Sequence, residues 1–238
     1  MMGKISKAIG ISEKGIEIVN EISKFELSHV NIERIDKDKD VDKDFVRNLL
    51  DDIEILYLIF DSSDKRAIEI VKAIGFMASE RKTLCIGFDF STDKSKKIEE
   101  IDRYIKTEEK NIEKIADLMD MMAESITEEP ILNLDITDLR DIMITDKDIK
   151  YICTNINYGT ESKIAVEKIM EDIESTGDEF ISRKCIIILE GDERVTFEYI
   201  SELMMEFEER CNGDKSSVIF ANLVKEKSEQ VKVCVLFN

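Results

Sequence analysis

Two carboxylates three residues apart, Asp135 and Asp138, stand in the hexapeptide Asn133-Leu134-Asp135-Ile136-Thr137-Asp138, directly after a long amphipathic stretch. That spacing brings both side chains to one side of a loop-to-helix junction. Ionised there, they could accept hydrogen bonds from a water and align it for attack; in the plainer reading they cap a helix and place acid in its first turn. What is missing is as informative: the nine glycines are so scattered that no two are adjacent, and no glycine-rich phosphate cradle can be written. The other chemistry-bearing residues are sparse. The single histidine, His29, has no ligand-type companion at metal-binding spacing and reads as structural. Five cysteines without short paired spacing argue against both a zinc site and a disulfide framework; Cys85, Cys153, Cys185 and Cys234 lie in apolar runs and read as buried thiols, and Cys211 follows a charged helix.

The elements that must position the carboxylate pair follow from periodicity. Apolar runs at Lys4–Ile11, Val30–Ile35, Ile53–Phe60 and Thr83–Phe88 read as strands, with helices at Ser12–Phe25, N-capped by Ser12, and at Asp64–Glu80. Strand alternating with helix predicts a parallel α/β layer. From Ser95 to Ile126 the apolar residues recur at helical spacing throughout, predicting one or two helices, the second about 20 residues long. The aspartates alternating along Asp36–Asp40 read as a solvated loop, since the turn glycine and terminal glutamate of a calcium loop are absent. Pro130, the only proline, marks a boundary. Beyond it come helices at Asp135–Ile144, Ser162–Glu174 and Thr196–Arg210, strands at Tyr151–Asn157 and Cys185–Glu190, and a closing strand hairpin of Ser217–Val224 with Gln230–Phe237. Gly191-Asp192-Glu193 reads as a turn without chemistry.

Composition excludes several partners. With 238 residues, 43% hydrophobic content and 37% charged residues, the chain can bury a core, and its formal charge of −19 disfavours phosphate backbones and anionic lipid surfaces. Neither nucleic acid nor direct membrane contact is expected, and without an apolar leader or an eighteen-residue apolar run the expected location is cytoplasmic.

The stretch Ile126-Thr127, through Pro130, into Ile131-Leu132-Asn133-Leu134-Asp135-Ile136-Thr137-Asp138-Leu139-Arg140-Asp141-Ile142-Met143 resembles the loop between the central helix and second domain of the FtsZ family, within the tubulin-like superfamily. Ala165-Val166, Val218-Ile219-Phe220-Ala221-Asn222 and Val231-Lys232-Val233 follow in the family's order. The resemblance covers about half the chain. It implies a truncated, Rossmann-like parallel-sheet domain over 1–105, a central helix over 106–129 and an α+β domain over 130–238. In that family GTP is held by glycine-rich loops and hydrolysed when the next subunit presents its Asn-x-Asp-x-x-Asp loop. Asp135 and Asp138 match the carboxylates that orient the water, and Asn133 the residue beside them.

The departures point the other way. Ser12-Glu13-Lys14-Gly15 and Asp61-Ser62-Ser63-Asp64-Lys65-Arg66 stand where the family has its phosphate loops, and Ile112 falls where a base-reading aspartate belongs. The resemblance with these losses implies a pseudo-GTPase without a cofactor, acting on a cell-division or cytoskeletal filament as a cap or modulator through a partner-facing Asn133/Asp135/Asp138 loop, with activation of a partner in trans. Its partner would be an FtsZ-like subunit or a copy of itself. The alternatives are a self-assembling GTPase with an unrecognised nucleotide site, and a structural oligomer indifferent to nucleotide. The chain ends at Asn238, right after its last strand, so the membrane-tether peptide of the family is not expected.

Overall fold

A computed structural model describes residues 6–92, 97–127, 132, 134–145, 147–177, 184–210 and 218–238. Pro130, Asn133 and Cys211 lie outside the described residues, as does the start of the first expected strand. The chain forms two compact units, Met1–Thr127 and Glu128–Asn238.

The first unit is built on strands β1 (Ser6–Ile11), β2 (Val30–Ile35), β3 (Ile55–Phe60), β4 (Leu84–Asp89) and β5 (Arg103–Lys106). They form one sheet in the order β2-β1-β3-β4-β5, every neighbouring pair parallel. All six residues of β3 are buried, because a parallel sheet carries helices on both faces and each side chain needs an apolar neighbour. Alternate residues divide accordingly. Ile9, Ile11, Leu56, Leu58 and Phe60 join a core with helices α2 (Lys43–Leu49) and α3 (Lys65–Glu80). Tyr57 turns to the other face, where its hydroxyl donates to the Met119 carbonyl of α4 (Ile112–Thr127) at 3.1 Å, on the side also covered by α1 (Ser12–Ile22). Met119, Met121 and Met122 are core residues, as flexible apolar fillers should be.

Four local expectations are corrected. The helical reading of Ser95–Ile126 fails at β5, a short half-buried edge strand whose Tyr104 and Ile105 fit either period. The central helix α4 has 16 residues, preceded by a 3-10 turn at Glu109–Asn111. Helix α2 follows the Asp36–Asp40 loop without having been anticipated, capped by the Asp42 carboxylate accepting from the Phe45 amide at 2.8 Å. Helix α1 stops at Ile22, short of Phe25.

The second unit contains α5 (Ile136–Met143), β6 (Lys150–Ile156), α6 (Ser162–Glu174), β7 (Cys185–Gly191), α7 (Phe197–Arg210), β8 (Val218–Val224) and β9 (Val231–Phe237). Its sheet runs β6-β9-β7-β8, with β9 antiparallel to both neighbours and β8 parallel to β7. The last two strands are therefore not the expected hairpin: β9 inserts between β6 and β7. Val231, Val233, Val235 and Phe237 thereby join the core that also takes Ala165, Ile169, Leu203 and Phe207 from α6 and α7. Burying each such side chain contributes about 1.5–3 kcal/mol, which outweighs the loop closure that a non-local strand requires. Cys185 and Cys234 are buried as expected, but Cys153 is exposed, because β6 is the edge strand of this sheet. Among the described residues no helix is long and apolar enough to cross a membrane.

Candidate functional site

In a sheet of this strand order, ligands are held beyond the carboxyl ends of the strands, where the connections leave β1 and β3 in opposite directions. Strand β1 passes into α1 without a connecting loop. Ile11, extended at φ −112° and ψ 128°, occupies the N-cap, and Ser12 takes a left-handed φ of 60° as the first helical residue. The expected Ser12 cap is thus corrected: the abrupt reversal spends this residue on the turn, and its buried hydroxyl lies towards the Asp64 carboxylate instead of capping α1. Both nearby glycines are consumed by packing. A Cβ on Gly15 would stand 2.2 Å from the Ile59 carbonyl oxygen, and one on Gly10 would stand 2.5 Å from the Gly15 carbonyl oxygen. They let a helix backbone lie against strand backbones, and are not the open amides of a phosphate loop.

The β3–α3 connection is closed by its own carboxylates. Ser62 donates from its amide (2.9 Å) and its hydroxyl (2.7 Å) to Asp89, and the Ser63 amide donates to Asp61 at 2.7 Å. The Asp64 carboxylate N-caps α3, accepting from the Arg66 amide at 2.8 Å and the Ala67 amide at 3.3 Å. Burial works against ionising Asp64, but the nearby Ser12 hydroxyl, these two amides and the Lys37 charge together hold its pKa below the usual value. The Ser62, Ser63, Arg66 and Ala67 amides are therefore all committed to aspartates.

Asp89, the last residue of β4, is the hub of this arrangement and fully buried. Beyond Ser62 it accepts from the Ser91 amide (2.9 Å), the Ser91 hydroxyl (2.8 Å) and the Tyr104 hydroxyl. Burial alone would raise its pKa; the bonds from Tyr104, Ser62 and Ser91 outweigh that and hold it at about 2. Sequence reading passed over Asp89, although an acid closing an otherwise apolar buried strand was a usable signal.

Basic residues nearby are committed too. Lys14 pairs with Glu109 at 2.5 Å and Glu17 at 3.0 Å, and these two acids raise its pKa. Arg66 donates to the Lys37 and Lys39 carbonyls and to Glu69. A cavity of about 590 Å³ beside the ends of β4 and β5 is lined by two lysines and two glutamates, Lys106, Lys110, Glu108 and Glu109, which offer a triphosphate no net positive field. Ile112 opens α4 and has no polar atom with which to read a base. Among the described residues, these strand ends present amides and cations that are already paired.

The second place is the start of α5. Asp135 Oδ1 accepts from the Thr137 amide (2.6 Å) and the Asp138 amide (3.0 Å), while the Asp138 Oδ2 accepts from the Asp135 amide at 3.1 Å. This is a reciprocal capping box with aspartate in both positions. The structure thus brings the two predicted residues together in a capping role. Each spends only one carboxylate oxygen on it, and Asp135 is exposed, so the second oxygen of each stays clear of the cap. Asp135→Ala should cost about 1 kcal/mol in chemical denaturation. The milder Asp138→Asn, which keeps an acceptor, should cost a few tenths.

Solved structures share this architecture. An FtsZ W319Y mutant from M. jannaschii superposes with a TM-score of 0.67 over 99% of this chain and 91% of its own, at 10% identity. The chain has the FtsZ fold. An empty FtsZ dimer from M. jannaschii gives a TM-score of 0.64 over 100% of this chain and 89% of its own, also at 10% identity. No protein-family model and no curated protein matches the sequence.

Within this FtsZ fold two clusters went unforeseen. Asp192, buried and assigned no chemistry in the sequence reading, accepts from Arg194 at 2.6 Å, from the Ser228 amide at 3.2 Å and from the Arg194 amide at 3.1 Å. The Arg194 guanidinium lies 3.6 Å from the centre of the Tyr158 ring, and its bond to Asp192 is the largest cause of that carboxyl's lowered pKa. This is a structural corner that fixes the turn after β7. The other cluster surrounds His29, whose imidazole has a nitrogen within 4.8 Å of a carboxylate oxygen of Asp120 and of Glu124.

Proposed function

We propose that this FtsZ-fold chain is a pseudo-GTPase that works through protein contacts. Its Asp135/Asp138 end docks on the nucleotide-bearing end of an FtsZ-type filament subunit, and its own strand ends cannot receive the next subunit. It would then cap or modulate a cytoskeletal or cell-division filament and, with one oxygen of each aspartate clear of the cap, could orient water for a partner's hydrolysis. The observation that carries this reading is the commitment of the Ser62, Ser63, Arg66 and Ala67 amides to Asp61, Asp64 and Asp89. Three carboxylates stand where a triphosphate would have to bring more negative charge.

The test has two arms. Calorimetric titration with GTP and Mg²⁺ should show no saturable binding in the micromolar range. Sedimentation with an authentic FtsZ and GTP should carry the chain into the pellet and change polymer mass, with Asp135→Ala and Asp138→Ala together releasing it. Tight GTP binding, or a supernatant chain with unchanged polymer at stoichiometric ratio, rejects the proposal. A second reading, self-association, draws on the likeness to an empty FtsZ dimer; light scattering that grows with concentration and ignores GTP would favour it.

A further inference from the structure

The cluster around the only histidine lies at the amino-terminal end of the parallel sheet, the end away from Asp89. His29 immediately precedes β2, and Asp120 and Glu124 stand one helical turn apart on α4, which packs against β2. One donor atom from each of the three side chains lies within 4.8 Å of the others. We propose that His29, Asp120 and Glu124 form a binding site for a divalent transition-metal cation of the zinc type.

Three observations support a built site. The histidine backbone is clamped from both sides: its amide donates to Asp120 Oδ1 at 3.2 Å, and its carbonyl accepts from the fully buried Ser6 hydroxyl at 2.6 Å. A ligand held by its own main chain loses little freedom on binding an ion. The carboxylate that holds the His29 amide is thus also a member of the cluster. Glu124 is only 7% exposed, so its charge sits where water screens it poorly. Two acids at i and i+4 on one helix repel each other, and a cation between them turns that repulsion into attraction. The negative field reaches the interior: the Asp120 charge adds to burial in raising the pKa of the Tyr57 phenol.

The donor chemistry selects the ion. One imidazole nitrogen with two carboxylates suits Zn²⁺, Mn²⁺ or Fe²⁺, whereas Ca²⁺ and Mg²⁺ prefer sets made of oxygen alone. Donors at about 2 Å from one ion lie within about 4 Å of each other, so side-chain rotations of under about 1 Å complete the site. Three protein ligands leave at least one position for water or another donor.

Co²⁺ serves as a spectroscopic probe on the full-length chain after chelator treatment. The expected result is a set of visible d–d bands that saturates at one ion per chain, lacks thiolate charge transfer and is displaced by Zn²⁺ but not by Mg²⁺. Zn²⁺ should also raise the unfolding temperature by about 5 °C. His29→Ala and Glu124→Gln should abolish the bands, and Cys153→Ser should leave them unchanged. Should His29→Ala misfold, Asp120→Asn keeps the acceptor for the His29 amide while weakening the ion at least tenfold. Bands that persist in these variants, bands with thiolate character, or no bands at all would each overturn the proposal.

Discussion

Gly15→Ala is expected to destabilise the first unit by about 3 kcal/mol, lowering its urea midpoint by about 1–2 M. Helix propensity argues the other way, since alanine inside a helix gains about 1 kcal/mol over glycine. The clash wins because the added Cβ would stand 2.2 Å from the Ile59 carbonyl oxygen, a backbone atom at the centre of the sheet that cannot rotate aside. Either α1 lifts away from β1 and β3, stripping the cover from Ile18, Val19 and Ile22, or the sheet distorts. The variant separates two roles for the same residue. A glycine kept for phosphate approach would, when replaced, leave unfolding nearly unchanged and weaken nucleotide binding. One kept for packing does the reverse, and a midpoint within a few tenths of wild type would refute the packing role.

Asp89→Ala should cost about 3 kcal/mol, because the Ser62 and Ser91 amides lose their acceptor inside the fold at about 1–3 kcal/mol each, while the two serine hydroxyls, 2.9 Å apart, can still bond each other. The same group makes stability depend on acid. Its pKa is near 2 in the folded chain against about 4 unfolded, so its contribution is complete above pH 4 and is lost as pH falls towards 2. That linkage amounts to about 2 kcal/mol. The gap in unfolding free energy between wild type and Asp89→Ala should narrow by this amount from pH 4 to 2, the other carboxylates cancelling in the difference. A gap independent of pH would show that Asp89 is not the ionised hub that ties Ser62 to Ser91.

Local order was legible in the sequence wherever neighbours in the chain decide it. The charge-bounded run ending at Phe60 became a fully buried strand, Asp135 became a helix cap, and Ser162–Glu174 is helical over the expected residues. The Asp135/Asp138 pair was legible as well, because a capping box is complete within four residues. The scatter of the nine glycines, no two of them adjacent, could be read from their positions alone. Errors came where two periods overlap, as in β5, whose Tyr104 and Ile105 also fit a helix, or where charge hides a short helix such as α2.

Tertiary structure alone decided which distant residues meet. The sequence gives no sign that β9 enters between β6 and β7, that Asp89 ties Ser62 and Tyr104 together, or that Asp120 and Glu124 come to His29 from more than ninety residues away. Periodicity records how far each residue is buried, a property of one segment against its average surroundings. Which partner it is buried against depends on loop closure and on the packing of whole faces, and those are properties of the folded chain.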